Sequence, residues 1–390
     1  MFTADDRQIA IIGGGIAGLT TAIALQQLNY QPVVYERSTE LREVGAGITL
    51  WHNAMAVLDQ LGVAEEIYRQ GREISSGSIF TSSGDLLNDM DFTSFDQIYG
   101  VKSVAIHRAK LLRILADQVG DDHIKLSKEL VTFEQNPLKI VFTDTSITQP
   151  DVMIGADGIF SDVRAKMKPD IKPQYSGYIA YRSIVEIDPD EMDKLQQYIG
   201  EYWGRGLRFG SVAISDTELY WFATENLPEH TDLSDLHVKS RLLQHFGDWT
   251  KFVVDLIEQT EEENILVNKI YDLKPFQSWY DGRCLLIGDA AHATTPNLGQ
   301  GAAISIEDAY VIATLMPGQS TYNVFEAFEQ LRYHRTKWIC KTSRRLGSIG
   351  NSGNPAVCVL RNLGTRLFPW YIKYQIKKAI SFDFIQNRQY

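Results

Sequence analysis

The chain has 390 residues, which is too long for one small core and suits two domains. Its apolar fraction of 44% is ordinary for a globular protein, and no apolar run approaches the roughly 18 residues of a transmembrane helix. Neither the net charge of −11 nor any motif indicates nucleic-acid recognition. Because the first residues also lack the segments of a signal peptide, we predict a cytoplasmic protein.

The first predicted unit spans residues 8–37 and reads QIAIIGGGIAGLTTAIALQQLNYQPVVYER. A short apolar run, typical of a buried parallel strand, leads directly into a G-x-G-x-x-G motif. Helical spacing follows over 16–28, a break over 29–32, and a second strand over 33–35 that ends on Glu36. This strand, helix and strand in register predict a dinucleotide-binding unit.

Each part of this unit has a physical role. Gly13 permits the tight turn out of the strand, Gly15 lets the backbone approach a pyrophosphate, and Gly18 allows close packing of helix and strand. Glu36 is spaced to accept hydrogen bonds from the ribose of an adenosine. The motif alone does not distinguish NAD from FAD.

The rest of the chain alternates between segments with predicted helices and strands and segments that are mainly predicted strands. We predict helices over 51–62 and 107–119, short strands over 74–100 and 124–147, and a strand over 151–155 that enters a glycine turn. Residues 175–224 are aromatic and β-rich, which predicts a separate antiparallel sheet. Further predicted elements are helices at about 233–246 and 250–259, a strand at 285–289, and helices from 299 onward, over 321–350 and over 354–380 with a break near Pro369.

The C-terminal segment is strongly basic. Residues 331–390 contain 12 Lys or Arg and a single acid, Asp383. Contact with an acidic partner or with a membrane surface is one interpretation of this asymmetry. We favour the other, in which basic helices dock on the acidic remainder of the protein. Cys284, Cys340 and Cys358 have no metal or redox spacing, so we predict reduced thiols and no bound metal.

Three motifs in order identify a family. They are GGGIAG at 13–18, IGADGIFSDVR at 154–164 and LIGDAAHATTPNLGQG at 286–301. Over residues 8–330 the chain resembles the single-component FAD-dependent aromatic hydroxylases with the p-hydroxybenzoate hydroxylase fold. The segments VGAGITLWHNA at 44–54, YSGYIAYRSIVEID at 175–188 and ATTPNLGQGAAISIEDA at 293–309 are most similar to the branch with urate, salicylate and 3-hydroxybenzoate 6-hydroxylases. Some epoxidases of carotenoid-like alkenes share these motifs.

The resemblance implies an α/β fold with an α+β insertion. A Rossmann-like FAD-binding domain, formed by residues 1–74, 101–174 and 271–330, is interrupted by an antiparallel β-sheet substrate domain. We assign residues 75–100 and 175–270 to that substrate domain, and residues 331–390 to a C-terminal helical segment.

The resemblance also implies which residues hold FAD. Arg108 would contact phosphate or ribityl oxygens, Leu130 the adenine, and Asp289 the ribityl chain. Asp157 belongs to a motif that the family links to both FAD and the nicotinamide donor. The full predicted set is Gly13, Gly15, Ala17, Gly18, Glu36, Arg37, Gly47, Arg108, Leu130, Asp157, Asp289, Pro296, Gly299, Gly301 and Ala302. The structural alternatives are a helix cap for Asp289, a solvated side chain for Arg108 and a plain turn at Asp157.

The implied reaction is a hydroxylation in which NADPH or NADH reduces FAD. O2 then forms a flavin C4a-hydroperoxide, which transfers one oxygen to a small aromatic or heteroaromatic substrate. Because the chain has no second G-x-G-x-x-G motif, we expect nicotinamide binding to be transient. The sequence leaves open a monomer or a homodimer.

We predict that the substrate residues lie in the β-rich insertion, with Arg208 and Tyr220 as catalytic candidates. An arginine can hold an anionic ring, and a tyrosine can hydrogen-bond or help to deprotonate it. A three-residue loop at 215–217 would pair Ile214 with Glu218 and place Arg208 and Tyr220 on one face, whereas a two-residue loop would separate them. A salt bridge for Arg208 and sheet packing for Tyr220 are the alternatives.

Further residues of the insertion have lower rank. Tyr181 and Arg182 are second-rank candidates, and Trp203, Trp221 and Phe222 are expected to form the wall of the site. His52 stands where many members of the resembling family have proline. We interpret it as a histidine with an ordinary partner and not as a catalytic residue.

Two other functions remain open at this point. One is oxygenation or epoxidation of a larger substrate, such as a polyene, a quinolone or an antibiotic, with the basic C-terminus and its aromatic residues near a membrane. The other is a flavin-binding protein without oxygenase activity, against which the intact motifs argue.

Overall fold

The structure, a computed structural model, describes residues 7–41, 46–234 and 236–382 of the chain. Val44 and Gly45 of the VGAGITLWHNA motif, and Asp383, lie outside the described residues.

Within these ranges the chain forms nineteen strands. They are β1 (Ile9–Ile12), β2 (Val33–Tyr35), β3 (Gly47–Leu50), β4 (Arg72–Ile74), β5 (Ser76–Thr81), β6 (Leu86–Asp91), β7 (Ser103–His107), β8 (Ile124–Lys125), β9 (Leu130–Gln135), β10 (Leu138–Phe142), β11 (Ile147–Thr148), β12 (Val152–Gly155), β13 (Gln174–Glu186), β14 (Gly200–Trp203), β15 (Leu207–Ala213), β16 (Glu218–Asn226), β17 (Leu266–Asp272), β18 (Tyr280–Asp281) and β19 (Cys284–Leu286).

The same ranges contain fourteen α-helices. They are α1 (Ile16–Gln26), α2 (His52–Gln60), α3 (Ala64–Gln70), α4 (Thr93–Tyr99), α5 (Arg108–Val119), α6 (Asp162–Met167), α7 (Pro189–Leu195), α8 (Val238–Phe246), α9 (Lys251–Gln259), α10 (Asp289–His292), α11 (Gly301–Leu315), α12 (Thr321–Gly350), α13 (Pro355–Leu367) and α14 (Pro369–Ile380).

A six-stranded sheet with the order β18-β19-β12-β1-β2-β8 forms the centre of the first unit. All of its pairs are parallel except β18 with β19. The strands β1 and β12 are apolar and buried along their whole length, as expected for parallel strands covered on both faces. Helix α1 returns the chain between β1 and β2 and packs against α5 and α11. The carboxyl ends of β1, β12 and β19 therefore lie together, where a doubly wound sheet binds its ligand.

A seven-stranded sheet with the order β17-β13-β16-β15-β14-β5-β6 forms the second unit. Its strands pair antiparallel except β14 with β5, which are parallel. The strands β5 and β6 precede the others by about a hundred residues in the chain, so the chain enters this sheet twice. Apolar side chains of α8 and α9 cover one face of the sheet and close a second hydrophobic core.

The long helix α12 is attached to the first unit by buried charges. Arg332 is 1% exposed and pairs with Glu307 at 2.6 Å and with Asp308 at 2.7 Å, both on α11. Arg335 also pairs with Glu307 at 2.5 Å. The prediction that basic C-terminal helices dock on acidic residues therefore holds for α12. None of the helices within the described residues is both long and apolar enough to cross a bilayer.

Candidate active site

The turn between β1 and α1 is shaped by glycines with different roles. Gly13 has φ +109°, and a Cβ there would lie 2.4 Å from Ala156 O. A Cβ at Gly18 would lie 2.0 Å from Gly13 O, so both positions are restricted to glycine by the fold itself. A Cβ at Gly15 would meet no atom within 4 Å. Gly15 thus borders open space at the start of α1, where the first-turn N–H groups have no intrahelical acceptor.

The acid at the end of β2 faces this turn. Glu36 Oε2 accepts a hydrogen bond from Gly14 N at 2.7 Å, and its Oε1 accepts one from Ser38 N at 2.9 Å. The next residue, Arg37, is exposed. Lys128 N donates to Glu36 O at 2.8 Å, which brings the start of β9, and with it Leu130, next to the acid. The predicted adenosine residues therefore converge at one end of the parallel sheet.

Two opposite charges, Arg108 and Asp289, lie near each other farther along the same cleft. Arg108 is the first residue of α5, and its backbone N donates to Ala46 O at 2.9 Å. Asp289 is the first residue of α10 and is exposed to open space, yet it lies deep enough that burial raises its pKa. Burial also lowers the pKa of Arg108, and the nearby Asp289 carboxylate partly opposes that effect. The Asp289 carboxylate lies deep in the protein and yet remains accessible. This combination indicates a cleft with room for a hydroxyl-rich ligand.

The N-terminus of α11 closes one side of the cleft. Its N-cap, Gln300, makes no side-chain cap bond, so the first N–H groups of a fifteen-residue helix remain available to an anion. Gly299 has φ +61°, and a Cβ there would lie 2.8 Å from Trp51 Nε1. A Cβ at Gly301 would come no nearer than 3.6 Å to any described atom, and Ala302 is half-buried.

Asp157 orders the turn after β12. Its Oδ2 accepts a hydrogen bond from Val163 N at 3.0 Å, while its Oδ1 is buried and has no partner among the described residues. Burial raises the pKa of this carboxyl group. Asp157 therefore holds the turn with one oxygen and leaves the other for a further donor.

These features fit FAD in their chemistry. The open space at Gly15 and the helix N-terminus suit a pyrophosphate, and the Asp289 carboxylate suits sugar-like hydroxyls. The N-terminus of α11 suits the negative charge of a reduced flavin ring, which Pro296 in the 3₁₀ turn Pro296–Leu298 would border.

The hairpin between β15 and β16 confirms the predicted register. Ile214 N donates to Glu218 O at 2.9 Å, which leaves a three-residue loop at 215–217. Arg208 lies opposite Thr224, four residue pairs along from Val212 opposite Tyr220. Since paired residues share a face and alternate residues return to it, Arg208 and Tyr220 lie on one face. We call this the site face, and its members include Tyr178, Arg182, Trp203, Arg208, Tyr220 and Phe222.

Arg208 is 5% exposed and surrounded by polar partners. Its Nη1 donates to Glu201 Oε1 at 3.0 Å and its Nε to Asn351 Oδ1 at 2.8 Å. Its Nη2 donates to Asn297 Oδ1 in the 3₁₀ turn Pro296–Leu298. Arg208 therefore reaches the predicted flavin loop, but its guanidinium is already engaged by a carboxylate and two amides.

Tyr220 packs directly against the first unit. A Cβ at Gly47 would lie 2.5 Å from Tyr220 Cγ, so glycine at this position of β3 allows the ring to approach. Burial raises the pKa of the Tyr220 hydroxyl, and the charges of Arg182 and Arg108 oppose that shift only in part. The hydroxyl is therefore a hydrogen-bond donor at neutral pH.

Arg182 lies beside Tyr220 on the site face. It is opposite Phe222 in the register and half-buried. It makes no hydrogen bond or ion pair with any of the described residues. A half-buried guanidinium without such a partner is placed to donate hydrogen bonds to an anionic oxygen. Of the two arginines predicted for this site, the second-rank one is thus the one with free donors.

Two further predictions from the insertion are wrong. Tyr181 and Trp221 are fully buried on the opposite face, which we call the back face. Tyr181 Oη donates to Glu225 Oε2 at 2.8 Å, and Trp221 Nε1 donates to Thr260 Oγ1 at 3.0 Å. Each stands one residue from a member of the site face, and alternation along the strand turns it away. Trp203 and Phe222 do belong to the site face.

His52 has ordinary partners, as predicted. Its side chain is buried, with Nε2 2.7 Å from Asp96 Oδ1 and Nδ1 2.9 Å from Ser103 Oγ. Burial lowers the pKa of His52 even though Asp96 acts in the other direction.

The partners of Arg208 were not identified from the sequence. Asn297 lies inside the LIGDAAHATTPNLGQG motif, so its place in that motif was an available signal. Glu201 and Asn351 are on β14 and just after α12. No local pattern at those two positions indicates a common neighbour.

Known proteins match nearly the whole chain in sequence and fold. A family model described as an FAD binding domain matches residues 6–323. The aurachin C monooxygenase/isomerase of Stigmatella aurantiaca is 35% identical over 360 residues, covering 90% of this chain and 92% of that protein. The 2-heptyl-3-hydroxy-4(1H)-quinolone synthase of Pseudomonas aeruginosa is 30% identical over 365 residues, covering 93% and 94%. The solved structure of Klebsiella pneumoniae HpxO with FAD and uric acid is 25% identical, with a TM-score of 0.88 and 96% of each chain covered.

Proposed function

Because the chain belongs to the FAD binding domain family and is an FAD-dependent monooxygenase of the aromatic hydroxylase type, we propose that it hydroxylates a heteroaromatic ring. The ring carries an oxygen substituent that is anionic or becomes so during the reaction. NADPH or NADH and O2 are the co-substrates, and the nicotinamide binds transiently.

The observation that carries this proposal is the pairing of Arg182 with Tyr220 on the site face. Arg182 has no partner among the described residues, and the Tyr220 hydroxyl stays protonated because burial raises its pKa. A guanidinium beside a neutral phenol suits a ring oxygen that accepts two hydrogen bonds. Apolar rings of the same face, such as Phe222, suit the flat surface of the substrate.

The names of the relatives support a nitrogen heterocycle as substrate. One relative is named for a quinolone, and one structural neighbour was solved with uric acid. Both ligand classes combine a flat nitrogen-containing ring with oxygen substituents. A heterocycle of this kind matches the donors of Arg182 and Tyr220 better than a plain hydrocarbon does.

When bound, FAD supplies the electron transfer from the nicotinamide and the activation of O2. The residues of this chain position the substrate and exclude water. Arg182 binds the ring oxygen and favours its anionic form, which enriches the ring in electrons. Tyr220 donates a hydrogen bond to the same region and, through its contact with Gly47, closes the gap between sheet and cleft.

Arg208 has a positioning role in this proposal. It joins Glu201 on β14 to Asn297 in the 3₁₀ turn Pro296–Leu298. Asn297 in turn donates to Thr295 Oγ1 at 2.8 Å and to Ser343 O at 3.0 Å. The site face is thereby held at a set distance from the turn that borders the ring of the cofactor.

The test begins with the absorbance spectrum of the purified protein and continues with NADH and NADPH oxidation in the presence of quinolones, urate and simple phenols. We expect flavin absorbance, ring-stimulated oxidation and a product heavier by one oxygen atom, with heterocycles preferred to phenols. Flavin absorbance with oxidation that no ring compound stimulates would overturn the hydroxylase proposal. A separate Asp289→Ala variant should lose FAD on gel filtration, and full retention would remove Asp289 from the cofactor site.

A further inference from the structure

Helix α13 is amphipathic, but its polar side faces the protein and its apolar side faces outward. Arg361 and Thr365 are its buried residues. Arg361 Nη1 donates to Gly350 O at 2.7 Å and its Nη2 to Gly204 O at 3.0 Å. Its guanidinium also lies 5.1 Å from the ring centroid of Trp203. The helix is thus attached to the protein by polar contacts.

The outward side of α13 is a continuous apolar stripe. Its members are exposed by 50% or more and recur at helical spacing: Val359, Leu360, Leu363 and Leu367. Residues spaced by three and four positions lie on one side of a helix, so these side chains form one surface. Surface helices normally turn such a stripe toward the core. Here it faces away from the protein, which indicates that something else covers it.

Helix α14 continues this surface with aromatic and basic side chains. Trp370 is 66% exposed, Tyr371 46% and Tyr374 56%. Its inward side packs through Ile376 and Ile380 onto a small cluster with Phe92 and Phe95. Exposed tryptophan and tyrosine are typical of the level where a membrane meets water, since one end of each ring is apolar and the other polar.

The charged side chains of α13 and α14 all have the same sign, although Asp91 on β6 lies near Lys373. Arg366, Lys373, Lys377 and Lys378 are exposed on α13 and α14. Neither helix contains an acidic residue. Basic side chains around an apolar stripe are the composition of helices that lie on anionic lipid.

We propose that the outward surface of α13 and α14, formed by the stripe of Val359, Leu360, Leu363 and Leu367 with Trp370, Tyr371 and Tyr374, binds an anionic lipid bilayer. The helices lie on the membrane surface and insert their apolar side chains into it. Charge complementarity selects this occupant over a second copy of the chain. A symmetric dimer through this surface would bring the same lysines of both copies together, which is unfavourable.

The proposed surface adjoins the site without being part of it. Arg361 links the inner side of α13 to Trp203, and Trp203 lies opposite Arg208 on the site face. The membrane-facing helix is therefore separated from the site face by one layer of side chains. The proposal concerns lipid binding alone and does not depend on which ring is hydroxylated.

The test uses the full chain with FAD bound, sedimented with vesicles of phosphatidylcholine alone or mixed with phosphatidylglycerol. We expect binding to the mixed vesicles that falls as salt is added, because the charges are exposed. The triple change Leu360→Ser, Leu363→Ser and Leu367→Ser should abolish it. Changing Lys373, Lys377 and Lys378 to Gln should weaken it by about fivefold for each charge near the bilayer.

A matched control uses exposed apolar residues elsewhere. Val131 is 46% exposed and Ile147 is 54% exposed, both in the sheet of β9, β10 and β11. Changing both to Ser should leave vesicle binding unchanged. Flavin absorbance and thermal unfolding confirm that each variant is folded.

Two results would overturn the proposal. The first is that the parent protein stays in solution with phosphatidylglycerol vesicles, or binds them equally well after the three leucine changes. The second is a dimer by light scattering, without vesicles, that the leucine changes convert to a monomer. That result would assign the surface to a second copy of the chain.

Discussion

The site face and the back face of the seven-stranded sheet are built from alternate residues of the same strands. On the back face, Tyr181, Phe209 and Trp221 are fully buried against the apolar side chains of α8 and α9. On the site face, Arg182 and Tyr220 present polar groups toward the cleft. One face thus supplies the stability of the unit, and the other carries the polar groups that we propose bind the substrate. The comparison shows that adjacent residues of one strand can have unrelated roles.

The two faces also differ in how their polar groups are satisfied. On the back face, Glu225 accepts from Tyr181 at 2.8 Å and from Arg241 Nε at 2.9 Å, so its carboxylate is paired. On the site face, Arg208 is paired, whereas Arg182 has no partner among the residues that the structure describes. A buried polar group without a partner is unfavourable unless a ligand completes it. Arg182 is such a group on the site face, and it therefore marks the position where a ligand is expected.

The largest expected effect is on the back face. Changing Trp221→Ala removes a fully buried ring and leaves a cavity, so we expect the free energy of unfolding to fall by about 3 to 5 kcal/mol. Urea unfolding followed by circular dichroism measures it. Trp203→Ala on the site face is the matched control. Its free energy of unfolding should fall by less, because Trp203 is only half-buried. Equal losses would remove the contrast between the two faces.

Arg208→Ala should affect both stability and turnover. It removes one donor each from Glu201, Asn297 and Asn351. Glu201 keeps the Trp203 Nε1 donor and is 29% exposed, and Asn351 keeps the Thr224 Oγ1 donor. We expect a loss of about 1 to 3 kcal/mol in unfolding free energy, FAD still bound, and much slower turnover. Arg208→Lys cannot reach all three partners and should recover little. Parent-like turnover in Arg208→Ala would exclude a role in the site.

Arg182→Ala should separate function from stability most clearly. A charge-assisted hydrogen bond contributes about 1.5 to 3 kcal/mol, so we expect kcat/KM to fall by about 10- to 150-fold. Because Arg182 has no protein partner among the described residues, the unfolding free energy should change by less than about 0.5 kcal/mol. Steady-state kinetics and urea unfolding of one preparation give both values. If the variant is destabilised while its kcat/KM is unchanged, Arg182 has a structural role and does not bind the substrate.

The smallest expected effect is that of Tyr220→Phe. Loss of one neutral hydrogen bond should lower kcat/KM by about 2- to 12-fold. Because burial raises the pKa of Tyr220, its hydroxyl stays protonated through the neutral range. The shape of the pH profile of kcat/KM between about pH 6 and 9 should therefore be the same in the variant and the parent. Disappearance of a basic limb in the variant would identify Tyr220 as a base instead of a donor.

The strand–helix–strand unit that carries part of the predicted cofactor site was predictable because its residues are close together in the chain. Gly13, Gly18 and Glu36 belong to one strand–helix–strand unit, and backbone geometry requires small residues at the two glycines. The substrate side was predictable only in part. The hairpin register followed from a loop of known length, but the choice between Tyr181 and Arg182 required the face of each strand.

The sequence by itself determined the FAD-binding motifs, the fold class and the basic character of the C-terminal segment, since each depends on local pattern or composition. Tertiary structure decided which arginine has free donors and which side of α13 faces outward. Arg208 is engaged by residues as far apart in sequence as Glu201 and Asn351. The buried side of α13 is set by one polar residue, Arg361, which bonds two distant carbonyl groups. Such contacts depend on packing across the whole fold, and no segment of the chain encodes them alone.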